Sequence, residues 1–303
     1  MTQQGSIGTF VLGMGAQKAG TSWLHTYFQT LDDFHLGFQK EYHILDGLYV
    51  PDFPGRKNNR IKEGVEALQE GKFGTKANRK AIKRALFVAD PESYFDYFQF
   101  LLLRGGGGFT TDMTPSHTAL PVSALTKIKR EFEARNIHVK VVFLMRDPVE
   151  RSWSSVRMAR RDGELGKRKL EGSGIKVKDL AEVSDAELLK ALHTSTGHRL
   201  RSDYSSAIKR MEQVFAPEDI TYGFFEDLFT EKFIRTLSGR LGFNYGAADF
   251  GKQVNVSEKT DEIGEQTRRE IAGHFVDTYH FCAQRFGADY IHKIWPNYKY
   301  VAL

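Results

Sequence analysis

The groups best able to do chemistry are a lysine inside a glycine loop, a glutamate and a histidine two residues apart, and an arginine ending an apolar strand. The lysine, Lys18, lies in Gly15-Ala-Gln-Lys-Ala-Gly-Thr-Ser22. This loop joins the β-type run Phe10 to Met14 to an amphipathic helix that starts at Thr21-Ser22 and carries Trp23, Leu24, Tyr27, Phe28 and Leu31 on one face. A strand, a glycine loop and a helix N-terminus bring unpaired backbone N–H groups and the positive end of a helix dipole to one point, which is a device for binding phosphate-like anions. Glu41 and His43 follow directly, in Phe34 to Asp46, and supply acid–base capacity beside that unit. The arginine, Arg146, stands with Asp147 and Pro148 at the C-terminal end of Val139 to Met145, the clearest buried strand in the chain. Pro148 fits the first turn of a following helix, where its missing N–H costs little.

Four strands are expected, at Phe10 to Met14, from Phe109 into a polar turn ending at His117, at Val139 to Met145 and at Asp219 to Phe225. Helices are expected in a charged pair over Arg60 to Leu86, at Pro91 to Leu103, Val122 to Arg135, from Pro148, at Asp203 to Phe215, Glu226 to Leu241 and Ile263 to Phe286. Strands alternating with helices imply an α/β fold, a three-layer sandwich around a central, mostly parallel sheet. The reading is one domain over residues 1–303, with a mobile lid or insertion at 161–198, where Gly163, Gly166, Gly172 and Gly174 alternate with charge.

With 41% hydrophobic and 13% aromatic residues in a chain of 303, a packed core is expected. The net charge of +5 makes acidic partners plausible, and serves solubility equally well. Cys282 is the single cysteine, so an intrachain disulfide and a thiolate metal cluster are excluded. Met1 to Gly8 has no basic leader and no run is long enough to span a membrane, which makes the cytoplasm the expected location.

The loop departs from the nucleotide-triphosphatase pattern G-x-x-x-x-G-K-[ST], because Thr21 occupies the lysine position and Lys18 sits inside the loop. A dinucleotide fingerprint fails as well, since Lys18 stands where its third glycine belongs. Gln17-Lys-Ala-Gly-Thr-Ser-Trp23 resembles instead the 5′-phosphosulfate loop of sulfotransferases that use 3′-phosphoadenosine 5′-phosphosulfate (PAPS). A second stretch is similar to the 3′-phosphate site of that family: Val141 to Pro148 ends in Arg146-Asp-Pro148, and Ser154 follows eight residues after the arginine.

The resemblance implies a P-loop-type nucleotide-binding fold, closer to the heparan-sulfate-type and bacterial members than to the cytosolic small-molecule enzymes. It implies that Gln17, Lys18, Ala19, Gly20, Thr21 and Ser22 hold the 5′-phosphate, that Trp23 packs near the adenine, and that Lys18 meets charge growing on the leaving phosphate. Arg146 and Ser154 would bind the 3′-phosphate, and Lys259, in the segment Val254 to Lys259, would join them. The base in heparan-sulfate-type relatives aligns with Glu41, with His43 beside it to position the acceptor or tune the carboxylate. His117, in Thr114 to Pro121, is the alternative base by likeness to the cytosolic enzymes, and Asp112 and Thr114 are candidate acceptor ligands. The implied activity is sulfuryl transfer from PAPS to a hydroxyl or amine of a carbohydrate or small molecule, leaving 3′-phosphoadenosine 5′-phosphate (PAP), with no metal and no nucleic-acid partner. Two rivals stand beside it. One is a nucleotide kinase or NTPase with a degenerate loop, in which Asp112 would serve Mg²⁺; the other is a non-catalytic polyanion binder using the basic region Arg157 to Lys178.

Overall fold

The structure, a computed structural model, describes residues 5–53, 55–71, 74–171, 174–176, 179–252, 254 and 262–301. Strand β1 (Gly8–Gly15) leads through the loop into α1 (Thr21–Phe28). Helices α2 (Leu45–Tyr49), α3 (Arg56–Gln69), α4 (Lys76–Ala89) and α5 (Glu92–Gly105) precede β2 (Phe109–Asp112). Then come α6 (Val122–Glu133), β3 (Ile137–Met145), α7 (Pro148–Arg161), α8 (Glu164–Glu171), α9 (Asp185–Leu192), α10 (Thr196–Leu200) and α11 (Tyr204–Glu212). The chain continues through β4 (Ile220–Phe224), α12 (Phe225–Leu228), α13 (Glu231–Leu241), α14 (Glu265–Gly273), α15 (Val276–Phe286) and α16 (Ala288–Ile294).

The strands form a four-stranded sheet in the order β2-β1-β3-β4, with every pairing parallel. β2 lies on one side of β1 and β3 on the other, so the chain reverses its direction of travel across the sheet between β1 and β3. In open parallel sheets that reversal leaves a crevice at the carboxyl ends of the two strands, where ligands bind. Lys18 follows β1 and Arg146 follows β3, so the two candidate cations flank this crevice. β1 from Phe10 to Met14 and β3 from Val141 to Met145 read as unbroken apolar runs because helices cover both faces. Phe10 shows how the packing is made: its ring stacks on Phe132 of α6 at 4.0 Å and meets Phe98 of α5 edge-on at 4.7 Å.

Three segments differ from their expected form. The final helix is divided into α14 and α15, because Phe275 leaves helical geometry and buries its ring against His193 at 5.0 Å. The glycine-rich stretch after α7 contains α8, and Leu170, Ile175 and Leu180 from this region join the core. Gly166 permits that packing, since a Cβ there would lie 2.0 Å from the Ala159 carbonyl oxygen. Arg160 ties the stretch down by donating to the Leu180 and Val183 carbonyls and to Asp185 at 2.6 Å. Finally, residues 34–43 are largely irregular, yet they run beside β2: Phe34 bridges Phe109, the His35 amide donates to the Phe109 carbonyl at 2.8 Å, and the Met113 amide donates to the Lys40 carbonyl at 2.9 Å. Backbone pairing of this kind delivers Lys40 to His43 to the carboxyl end of the sheet. No helix among the described residues is long and apolar enough to cross a membrane.

Candidate active site

The loop turns into α1 at Gly20, whose φ of 89° is left-handed and whose surroundings exclude a side chain: a Cβ would lie 2.2 Å from Leu228 Cδ2. Lys18 also takes a left-handed conformation, φ 68°, and its carbonyl accepts a hydrogen bond from Arg146 Nη1 at 3.1 Å. This bond joins the ends of β1 and β3. Burial, reinforced by Arg161, Arg146 and Arg157, lowers the Lys18 ammonium to about 8. Arg146 lies over the Phe225 ring at 4.1 Å, and burial lowers its guanidinium too. Glu226, close enough to be felt by Arg146, is pushed by burial up to about 7 and so gives that arginine less than a full counter-charge near neutrality.

Helix α7 adds two further groups to this side of the crevice. Ser154 is buried, and its hydroxyl has no hydrogen-bond partner among the described residues. Arg157, one turn later, is buried over the Trp153 ring at 4.4 Å. Its Nε and Nη1, like Arg146 Nε, are enclosed without a hydrogen-bond partner. Buried guanidinium nitrogens left unpaired are costly unless an anion completes them, so this cluster fits a phosphate.

On the opposite side, Lys40 Nζ donates to Thr21 Oγ1 at 3.1 Å, to Ser22 Oγ at 2.8 Å and to Glu41 Oε1 at 2.7 Å. It thereby links the loop hydroxyls to the candidate base. Glu41 Oε2 faces His43 Nε2 at 3.5 Å, and His43 Nδ1 donates to Asp46 Oδ2 at 2.9 Å. Asp46 is fully buried and also accepts from Arg56 Nη1 and, at 2.5 Å, from Ser116 Oγ. Burial alone would raise the Glu41 carboxyl, but His43 and Lys40 outweigh it and hold the group at about 2. Burial would likewise depress His43, whereas Asp46 and Glu41 raise its imidazole above the ordinary value. The result is an ordered chain, Lys40–Glu41–His43–Asp46–Arg56, anchored on α2 and α3 and aimed at the loop.

Two of the remaining candidates back this group: Asp112 Oδ1 accepts from the Tyr42 amide at 3.5 Å and Thr114 Oγ1 from the His43 amide at 3.3 Å. His117 is fully buried beneath the loop, with Nδ1 donating to the Gly13 carbonyl at 3.0 Å; its charge is felt by Asp46, but it makes no hydrogen bond to Glu41 among the described residues. Asp112, expected near an acceptor or a metal, is fully buried and accepts from Tyr94 OH at 2.8 Å, Thr114 Oγ1 at 2.6 Å and the Thr114 amide at 3.1 Å. Its oxygens are occupied in holding the end of β2, and Thr114 is buried with it. Trp23 is packed against Phe229, edge-on at 5.1 Å, and against Phe250 at 6.0 Å. Gln17 is half-buried, Ala19 is buried, and Lys259 falls outside the described residues. Lys40, Asp46 and Arg56 join this arrangement without a role read for them from the sequence, and Arg157, read there as the start of a polyanion-binding region, packs beside Ser154. The signals were a cation directly before Glu41, a carboxylate three residues after His43 and an arginine one helical turn after Ser154.

Asp147 holds the second cation in place from below. Its Oδ1 caps α7 by accepting from the Val149 amide at 2.9 Å and takes Tyr279 OH at 2.7 Å. Its Oδ2 accepts the Asn297 backbone and side-chain N–H groups, both at 3.0 Å. Asp147→Ala strips a helix cap and orphans several buried donors, so a loss of about 2–4 kcal/mol is expected. Urea unfolding checks this: the midpoint should fall at constant slope, and Asp147→Asn, which keeps one oxygen, should lose less.

No family model and no curated protein matches the sequence. Solved structures do resemble it. A sulfotransferase from Alicyclobacillus acidocaldarius superposes with a TM-score of 0.56 over 96% of this chain and 98% of its own, at 18% identity. The sulfotransferase domain of the Synechococcus PCC 7002 olefin synthase gives 0.49 over 92% and 94%, at 13% identity. The sulfotransferase domain from the curacin biosynthetic pathway gives 0.43 over 84% and 81%, at 14% identity. The first of these likenesses, spanning nearly both chains, establishes that this protein has a sulfotransferase-like fold.

Proposed function

We propose that the protein is a PAPS-dependent sulfotransferase acting on a hydroxyl or amine of a carbohydrate or small molecule. The observation that supports this reading is the concentration of cations and hydroxyls at the adjoining ends of β1 and β3, enough to hold two phosphates. One group is the loop with Lys18, Thr21 and Ser22; the other is Arg146, Ser154 and Arg157, with buried guanidinium nitrogens awaiting a partner. A donor with phosphates at both its 5′ and 3′ positions needs two such groups, whereas a nucleoside triphosphate with one phosphate chain does not. A kinase or NTPase reading is disfavoured by Asp112, whose oxygens are taken up by Tyr94 and Thr114.

The residues fit the donor as follows. Thr21, Ser22 and the loop amides would hold its 5′-phosphate, Arg146, Ser154 and Arg157 its 3′-phosphate, and Trp23 with Phe229 would flank the base. When bound, PAPS supplies a sulfuryl group whose S–O bond to the 5′-phosphate breaks, its electron pair passing to the phosphate, as the acceptor oxygen or nitrogen bonds to sulfur. Lys18 stabilises the charge that grows on that phosphate. Glu41 takes the acceptor's proton, and His43 and Asp46 fix the carboxylate's orientation. Lys40, shared between the loop hydroxyls and Glu41, sets the distance between donor and base.

Thermal unfolding with PAP, PAPS, ATP and ATP-Mg²⁺ tests the reading. Ligand at about 100 times its dissociation constant should add about 2.7 kcal/mol of stability. PAP and PAPS are expected to raise the midpoint; a rise with ATP-Mg²⁺ alone would overturn the assignment.

A further inference from the structure

Beyond the base lies a cation that the transfer chemistry does not use. Arg56 sits over one side of the Phe53 ring at 3.9 Å, and Arg201 lies 5.6 Å from the same ring. Arg56 is committed to Asp46 and to Ser116 Oγ at 2.7 Å. Glu41 is committed to Lys40 and His43, and Asp46 also to His43. Asp46 Oδ1 has no hydrogen-bond partner, yet none of these carboxylates pairs with Arg201 among the described residues. Its Nη1 donates to the Gly197 carbonyl at 2.9 Å, and it forms no ion pair among the described residues. It is nevertheless close enough to Glu41, Asp46 and Arg56 to feel their charges, and burial, Arg56 and Arg151 together lower its guanidinium to about 10. A partly enclosed cation beside other cations, with N–H groups to spare, is an anion site in waiting.

We propose that the acceptor is itself an anion, and that its oxyanion docks on Arg201 beside the Phe53 ring while its hydroxyl or amine faces Glu41. The proposal rests on the sulfuryl-transfer reading above and adds the class of acceptor. An arginine fork matches carboxylate, sulfate or phosphate oxygens through paired N–H donors. The alternative role for Arg201 is local: it stands at the C-terminal end of α10, where donating to Gly197 completes a helix carbonyl. That role would be kept by glutamine, which can still donate, but the docking role would not.

The test has two arms, both on the full chain with wild type, Arg201→Gln and Arg201→Lys. In the first, titration calorimetry on the PAP-saturated protein compares benzoate, phenyl phosphate and phenyl sulfate with neutral benzyl alcohol. The anions should bind at least 10-fold more tightly than the alcohol, Arg201→Gln should abolish that difference, and Arg201→Lys should retain part of it. The ranking of the three anions identifies which oxyanion the site takes. In the second arm, sulfuryl transfer from PAPS is followed with phenol against 4-hydroxyphenylacetate, and the carboxylate is expected to lower KM at least 10-fold in wild type, less in Arg201→Lys and not at all in Arg201→Gln. Equal binding of benzyl alcohol and the anions, or an anion preference that survives in Arg201→Gln, overturns the proposal. Failure of PAP to bind wild type would instead strike the sulfotransferase reading, and the two failures are thus distinct.

Discussion

Lys18→Ala is expected to lower kcat with PAPS roughly 30- to 1,000-fold, about 2–4 kcal/mol of transition-state stabilisation, while leaving PAP binding measurable. Lys18 is half-buried and surrounded by Arg146, Arg157 and Arg161, which is an unfavourable place for an ammonium, and its lowering to about 8 reports that cost. Removing it relieves like-charge repulsion, so the ligand-free variant should unfold at a midpoint no lower than wild type. A variant that is at least as stable but far slower would separate a role in chemistry from a role in folding. Turnover equal to wild type would sink the proposed role.

The same lysine predicts a pH dependence. In the free protein it loses its proton as the pH rises through about 8, whereas a bound phosphate favours the charged ammonium and raises that value. Binding of PAP should therefore take up a proton above pH 8, and the affinity should weaken as pH rises beyond it. Calorimetry in buffers of different ionisation enthalpy reads the uptake directly, and it should vanish in Lys18→Ala.

What the sequence shows plainly is whatever depends on neighbours along the chain. The run Phe10 to Met14, the loop and the helix start at Thr21 are contiguous, and so are the strand ending at Met145, Arg146 and the proline-initiated helix. Contacts between distant segments were hidden. Lys40 reaches Thr21 and Ser22 only because residues 34–43 pair with the edge of β2, a pairing that irregular backbone does not advertise. Asp112 looked like a free carboxylate at a strand end, but Tyr94 of α5 supplies a buried donor that turns it into an anchor. The charge and glycine after α7 suggested a loop, whereas Gly166 serves close packing against Ala159. In each case the partner that decides the residue's role lies far along the chain or is fixed only by packing.

Glu41→Gln is expected to lower kcat on the order of 10²- to 10⁴-fold, the usual worth of a positioned general base, with the PAP-induced thermal shift unchanged. A carboxylate held at about 2 looks at first too weak to take a proton at neutral pH. Its weakness, however, is imposed by His43 and Lys40, and His43 is the removable part. While the imidazole is protonated, Glu41 faces a cation at 3.5 Å and holds no appetite for a proton. Once His43 is neutral, that opposition is gone and the basicity of Glu41 rises; the two groups titrate as a pair. Since Asp46 and Glu41 raise His43 above its ordinary value, the acid limb of the kcat/KM profile should lie above pH 6.5, with Lys18 setting the alkaline limb near 8. The wild-type optimum is then a narrow bell between the two, and Asp46→Asn, which removes the largest force raising His43, should move the acid limb to lower pH. Glutamine at position 41 cannot accept a proton, so its residual rate should lose the acid limb altogether; a Glu41→Gln profile that keeps both wild-type limbs at wild-type height would assign the base to another residue.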